Sequence, residues 1–140
     1  MASSEMQFYL SAAVDCDDLI KVLSDLLGMK VETLEQPDSE ALAFLLVTRY
    51  NSNFSMGISL SWREDIIPKH NYLEIAKYLA NNYNIQVATD LPEGHPSKLN
   101  PYYWCVAEPD GTLLEMVEDT SGSEERDGLI LNVTSKKIIQ

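Results

Sequence analysis

Residues 54–62, FSMGISLSW, carry the pattern on which the fold prediction depends. Apolar side chains fill every even position from Phe54 to Trp62, and serine or glycine fills each odd position between them. This alternation is typical of a strand that packs one face on a core. Residues 41–49, ALAFLLVTR, come before it across a short polar break, and their apolar character suits a strand covered on both faces. The two segments predict a β-hairpin.

An amphipathic helix is predicted on each side of this hairpin. Upstream, apolar residues recur at helical spacing from Leu19 to Leu27, aspartates stand at the expected start, and Gly28 ends the pattern. Downstream, Asn71 and Glu74 have the spacing of a capping box at the start of a second helix. The chain therefore alternates single helices with groups of strands.

The other apolar segments predict further strands at 7–14, 29–35, 85–91, 102–107, 112–118 and, as an optional last strand, 128–133. The Pro-Asp-Gly sequence within 108–111 predicts a type I turn that closes a second hairpin. The order becomes β-α-β-β-β-α-β-β-β with room for an extra C-terminal strand. It predicts an α+β fold in which two helices cover one face of an antiparallel sheet.

Length and composition are those of one globular domain. Of the 140 residues, 45% are hydrophobic and 23% are charged, which is wrong for a disordered chain. We expect one domain over 1–140, with a loose N-terminus at 1–5, a mobile acidic loop at 118–127 and a tail at 134–140.

The charge balance excludes several partners. Ten basic side chains stand against 22 acidic ones, for a net charge of −12 and a pI near 4.4. Such a field repels nucleic-acid phosphates and anionic membrane surfaces, and no apolar run reaches the length of a membrane span. It permits a basic protein partner, a cationic ligand or plain solubility. Residues 1–10 do not show the pattern of a secretory signal, so a cytoplasmic protein is expected. Cys16 and Cys105 are then expected to be free thiols.

Residues that could carry catalysis are few. The two histidines, His70 and His95, have no partner at metal-ligand spacing, and we expect both to be solvated. Glycine motifs for phosphates and the nucleophile motif of hydrolases are both missing from the sequence. The sequence therefore predicts a non-enzymatic protein without a cofactor.

Acidic and aromatic side chains are the remaining concentrations. Clustered carboxylates can steer a basic protein, although a solvated charged face is the alternative. Aromatic residues beside them can anchor the contact or lie in the core, and the consecutive aromatics at 102–104 must face both sides of their strand. The predicted partner-binding residues are Asp17, Asp18, Trp62, Glu64, Asp65, Tyr103 and Trp104.

Glu115 differs from the other acids because it lies in mid-strand among apolar residues. It either faces solvent or faces a cavity as a ligand or base. Segments 25–31, DLLGMKV, and 108–115, EPDGTLLE, resemble the glyoxalase/bleomycin-resistance family, also called vicinal oxygen chelate proteins. That resemblance implies a metalloenzyme or a small-ligand-binding protein, with Glu115 as a metal ligand and Gln7 as its companion. A metal needs three or four ligands, and no histidine falls on a predicted strand to supply the others.

The overall profile also resembles small bacterial immunity proteins of contact-dependent inhibition and polymorphic-toxin systems. The shared features are a compact acidic α+β domain, acids beside aromatics, and no catalytic set. This resemblance implies a protein that binds a cognate basic toxin, such as a nuclease, and blocks its active site. The expected function is therefore a toxin-neutralising protein-binding domain, with a glyoxalase-fold protein as the alternative.

Overall fold

The computed structural model describes residues 5–33, 41–63, 65–66, 68–119 and 129–139. Within them the chain is an α+β protein with two helices and an open, mostly antiparallel sheet of eight strands, which confirms the predicted class. Most of the acidic loop expected at 118–127, and the start of the N-terminus, lie outside the described residues. The elements are β1 (Glu5–Leu10), α1 (Cys16–Leu27), β2 (Val31–Thr33), β3 (Ala43–Arg49), β4 (Met56–Trp62), α2 (Tyr72–Tyr83), β5 (Val87–Thr89), β6 (Tyr103–Ala107), β7 (Leu113–Glu118) and β8 (Leu131–Ile138).

The strands lie in the order β2-β3-β4-β1-β5-β6-β7-β8. The predicted hairpin is present, because β3 pairs with β4 along its whole length. β1 lies against β4 and joins the two halves of the sheet through β5. One pair departs from the predicted antiparallel sheet, since β2 and β3 are parallel with Val31 opposite Ala43. The turn-forming residues near Pro37 predict a bend but do not fix the direction in which the chain re-enters the sheet.

The helix ends follow the sequence signals. The Asp15 carboxylate accepts the N–H of Asp18 at 3.0 Å, and Gly28 closes α1 in the left-handed conformation with φ 67°. Asn71 and Glu74 form the predicted capping box at the start of α2. Each helix has 12 residues, and among the described residues no helix is long and apolar enough to cross a membrane.

Buried residues of both helices lie in one core cluster with alternate residues of the central strands, and we call this cluster the helix-side core. The even residues of β4 belong to it, as the alternation predicts. Burying a Leu or Phe side chain contributes about 1.5–3 kcal/mol, so this cluster supplies much of the driving force for folding. Its largest fully buried members include Phe8, Leu10, Leu19, Leu23, Leu45, Met56, Leu60, Ile75 and Leu79.

A second, smaller core cluster lies beside β5, β6 and β7. The alternation predicts Phe54 on the face of Met56, but Phe54 lies in this second cluster and forms a β-bridge to Leu129. The reason is that β4 begins only at Met56, so Phe54 precedes the regular pleat that alternation requires. The other members are Ala88, Val106, Leu114, Met116 and Leu131, with Tyr9 and Trp104 packed against them.

The last strand is longer than expected. β8 continues to Ile138, through residues that we expected to form a tail. Lys137 stands opposite Glu115, and Ile138 stands opposite Leu114. Lys136 and Lys137 lie on this edge strand, where charged side chains discourage pairing with another sheet edge. The same lysines interrupt the apolar pattern from which a strand would be predicted.

Candidate functional site

The small residues of β4 leave a trough between the longer side chains of β1 and β3. The residues of this trough alternate along the strands with those of the helix-side core, so they point away from it. Several are exposed, and the trough encloses a cavity of about 200 Å³. We call this surface the tyrosine face, and its residues are Glu5, Gln7, Tyr9, Leu46, Thr48, Tyr50, Gly57 and Ser59.

Three aromatic rings are packed at one end of the tyrosine face. The Tyr9 and Tyr50 ring centroids lie 6.0 Å apart with the planes tilted by 38°. Trp104 meets Tyr9 edge to face at 5.4 Å and 87°. The Tyr50 ring rests directly on Gly57, because a Cβ at that position would lie 2.7 Å from Tyr50 Cε2. A side chain on residue 57 would therefore push Tyr50 out of place.

A carboxylate is held at the other end of the same trough. The hydroxyl of Ser59 donates a hydrogen bond to Glu5 Oε1 at 2.8 Å. The side-chain amide of Gln7 donates to the same oxygen at 3.4 Å. These contacts hold the carboxylate at the end of the trough opposite the aromatic rings.

The electrostatic environment of the aromatic rings is also negative. Burial raises the pKa of Tyr9, and the neighbouring Tyr50 hydroxyl and Glu118 carboxylate raise it further. Among the described residues that line the cavity, none is lysine, arginine or histidine. Aromatic ring faces and a carboxylate attract a cation with several hydrogen-bond donors, so the trough is suited to binding such a group.

The predicted partner-binding acids have different environments. Asp18 accepts a hydrogen bond from the Tyr83 hydroxyl at 2.7 Å, which ties the start of α1 to the end of α2. Burial of the phenol raises the pKa of Tyr83, and the hydrogen bond to Asp18 raises it further. Asp17 and Asp65 are exposed, and Glu64 lies outside the described residues. Asp18 therefore has a structural contact of its own.

These acids do not form one patch. The start of α1 lies near the start of β4, because the N–H of Val14 contacts Met56 Sδ at 3.4 Å. Asp65 instead follows the end of β4, and a seven-residue strand is about 20 Å long. Asp17 and Asp65 consequently lie near opposite ends of the sheet.

The predicted aromatic anchors also separate. Trp62 is only 9% exposed and packs in the helix-side core. Tyr103 packs against the same core, whereas Trp104 packs against the second cluster, so consecutive aromatics do face both sides of β6. Among the described atoms, the indole N–H of Trp104 is buried without a hydrogen-bond partner. Of the three, Trp104 adjoins the tyrosine face through Tyr9.

Glu115 faces neither open solvent nor the tyrosine face. It is 7% exposed, and its Oε1 lies 3.6 Å from His95 Nε2. His95 is therefore half-buried rather than fully solvated as predicted, and its Nδ1 accepts the N–H of Ser97 at 3.1 Å. Within the same loop, Lys98 Nζ donates to the Leu91 carbonyl at 2.8 Å. His95 therefore brings this loop against the Glu115 carboxylate.

Gln7 and Glu115, the two metal ligands of the alternative interpretation, do not come together. They lie on β1 and β7, which are three strand spacings or about 14 Å apart. Gln7 also belongs to the tyrosine face, whereas Glu115 stands opposite the helix-side residue Cys105. Among the described residues, no group of three or more histidine, cysteine or acidic side chains is placed to hold a metal.

Most residues of the tyrosine face could not be predicted from the sequence. Its only local signal is the odd-numbered side of β4, where glycine and serine leave room above the strand. Tyr9 and Tyr50 are distant in sequence and meet only through the pairing of β1, β3 and β4. Comparisons of the chain with protein-family models, with curated proteins and with solved structures found no match.

Proposed function

We propose that this chain is a non-enzymatic protein-binding domain that takes a basic protein partner on its tyrosine face. The observation that carries this proposal is one trough with packed aromatic rings at one end and exposed polar and acidic side chains towards the other, with no basic side chain among the described lining residues. Aromatic residues are enriched at interface hot spots, and complementary charge sets orientation and partner choice. Leu46, which is 41% exposed, adds apolar surface at the rim.

The other carboxylates act at longer range in this proposal. The net charge of −12, with Asp17 and Asp65 near opposite ends of the sheet, extends the negative field well beyond the trough. Such a field accelerates encounter with a basic partner more than it tightens the final complex. Trp104 contributes indirectly, by packing against the Tyr9 ring.

The most concrete form of this proposal is an immunity protein. A toxin domain that acts on nucleic acid has a basic active cleft that receives phosphates. An acidic domain can occupy that cleft in their place and exclude the substrate. Such an inhibitor works in the cytoplasm of the cell that it protects, where both cysteines stay reduced.

The test begins with the tagged full-length chain and an extract of its source organism. Captured proteins are identified by mass spectrometry, produced separately and titrated by calorimetry at low and high salt. Two matched pairs of variants then locate the interface. Glu5→Gln is compared with Asp25→Asn, an exposed acid on α1, and Tyr50→Ala is compared with Tyr78→Ala, an exposed tyrosine on α2.

We expect a basic partner whose affinity falls with salt and drops about tenfold or more in Tyr50→Ala, as for a hot-spot residue. The Tyr78→Ala control should bind as the parent does. An acidic partner, or equal losses for the tyrosine-face and control variants, would contradict the proposal. For the immunity form, cells that express the partner should survive only with a binding-competent chain.

A further inference from the structure

We infer that residues 95–97 form a pH-sensitive turn, which opens when the His95 ring takes up a proton. The turn is closed by the hydrogen bond from the Ser97 N–H to His95 Nδ1, and we call it the His95 turn. It lies against Glu115 on the helix side of β7, so the inference is independent of the function proposed for the tyrosine face.

The contacts of the His95 ring determine which nitrogen carries the proton. Nδ1 accepts the Ser97 N–H at 3.1 Å, and Nε2 lies 3.6 Å from Glu115 Oε1. Because a backbone N–H can only donate, Nδ1 must be the unprotonated nitrogen. In the neutral ring the proton is therefore on Nε2, where it faces the buried carboxylate.

A second proton on the ring is incompatible with the His95 turn. It can bind only to Nδ1, and a protonated Nδ1 is a donor that faces the donor N–H of Ser97. The hydrogen bond is then lost, while the positive ring stays attracted to the Glu115 carboxylate. The His95 side chain is 20% exposed, so a proton can reach it from solvent.

Among the described residues around His95, no other side chain is of a type that ordinarily titrates near neutral pH. A histidine changes its charge between about pH 5 and 8, whereas the other ionisable types do so outside that range. The neighbouring groups are Glu115 of β7, Cys105 of β6, Lys137 of β8, Tyr72 and Lys77 of α2, and Asp90, Glu93 and Lys98 at the loop.

The same loop contains a matching turn that cannot titrate. Asn100 Oδ1 accepts the N–H of Tyr102 at 3.0 Å, again with the donor two residues after the acceptor. This is the geometry of an Asx turn, and the amide oxygen of Asn does not take up a proton in this range. Leu99, which is 96% exposed, lies between the two turns. Acid should therefore open one of the two turns that flank this exposed apolar side chain.

The test follows the ¹⁵N-labelled full-length chain by NMR from pH 8 to pH 5. At pH 8 we expect an unprotonated His95 Nδ1 that is coupled to the Ser97 amide through the hydrogen bond, and both features should disappear in acid. Hydrogen exchange is compared with the intrinsic rate at each pH. The protection of the Ser97 amide should fall about fivefold, as for one neutral hydrogen bond, while Tyr102 keeps its protection.

Three variants identify the group that takes up the proton. His95→Asn supplies an amide oxygen two residues before Ser97, so the Ser97 amide should be equally protected at both pH values. His95→Gln lacks an acceptor at the Nδ1 position and should leave this amide weakly protected at both. His70→Gln removes the other histidine of the sequence and should keep the full response. Dispersed amide spectra establish that each variant is folded.

Several results would overturn the inference. The first is a Ser97 amide that is equally protected at pH 8 and pH 5 in the parent. The second is a pH response that persists in His95→Asn or is lost in His70→Gln. A parallel loss of protection at Tyr102 would also contradict the inference, because the whole loop would then open rather than one turn. If Glu115→Gln abolishes the response while His95→Asn retains it, the carboxylate and not the ring takes up the proton.

Discussion

Replacing Gly57 with alanine tests whether the Tyr50 ring forms the end of the trough. The new Cβ would lie 2.7 Å from Tyr50 Cε2 and 3.5 Å from Tyr9 Cε1. Non-bonded carbon atoms pack at about 3.5–4.0 Å, so the first contact is too short and the second is ordinary. Gly57 also has no positive φ, so its backbone accepts alanine. The substitution should therefore move Tyr50 and leave Tyr9 in place.

Two opposing contributions set the size of the effect. Alanine is more favourable than glycine inside a strand by about 0.5–1 kcal/mol. Overpacking a rigid core costs about 1–3 kcal/mol, but the clashing atom is the outer end of the half-buried Tyr50 side chain, so the cost lies near the lower limit. Displacing Tyr50 also weakens its contact with Tyr9, and we expect Gly57→Ala to destabilise the parent by about 0.5–1 kcal/mol in total. In a Tyr50→Ala background the clash is gone, and the same substitution should stabilise by about 0.5 kcal/mol.

Equilibrium unfolding in urea of the parent, the two single variants and the double variant measures this change of sign. A Tyr78→Ala background is the control, because Tyr78 lies on α2 and Gly57→Ala should remain destabilising there. If Gly57→Ala stabilises every background to the same extent, within about 0.3 kcal/mol, Tyr50 does not rest on Gly57. The proposed cavity would then lose one of its walls.

Three further predictions concern reactivity, pH and helix capping. Burial raises the pKa of Cys105 to about 11, so a thiol reagent at pH 8 should modify Cys105 only after the protein unfolds. The half-buried Cys16 should react faster than Cys105 in the folded protein. Because the pKa of Tyr83 is raised, the protonated Tyr83 hydroxyl contributes fully to stability below pH 10, and this contribution falls as the pH rises further. In urea unfolding measured from pH 9 to 11, Tyr83→Phe should therefore lose less unfolding free energy with rising pH than the parent. Asn71→Ala removes the capping box and should lower the unfolding free energy by about 1 kcal/mol, whereas an unchanged midpoint would show that the cap is dispensable.

The elements that could be predicted from the sequence are those whose causes are local. Asp15, Gly28 and Asn71 act on backbone groups within a few residues of themselves, and all three take their expected roles. The alternation of β4 holds for the same reason, because the pleat turns successive side chains to opposite faces. Phe54 fails only because it stands before the first residue of that pleat.

The features that could not be predicted depend on distant segments. The direction of β2 against β3 and the length of β8 are set by backbone pairing between strands, which leaves little trace in either segment alone. The contact between His95 and the buried Glu115 likewise joins a loop to a strand that follows it in the chain. The contact between His95 and Glu115 cannot be predicted from the residue types or from their spacing in the sequence.

The sequence by itself determined both helices, the position of most strands, the α+β class and the excess of negative charge, because these follow from neighbouring residues and from composition. Only the tertiary structure decided which side chains share a surface. Strand pairing places Tyr9 and Gln7 of β1 on one side of Gly57 and Ser59 of β4, and Thr48 and Leu46 of β3 on the other side. The β1 residues are about 40–50 positions away from the other four along the chain. The candidate site exists because three strands meet in one register, and a shift of one residue would turn its side chains into the core.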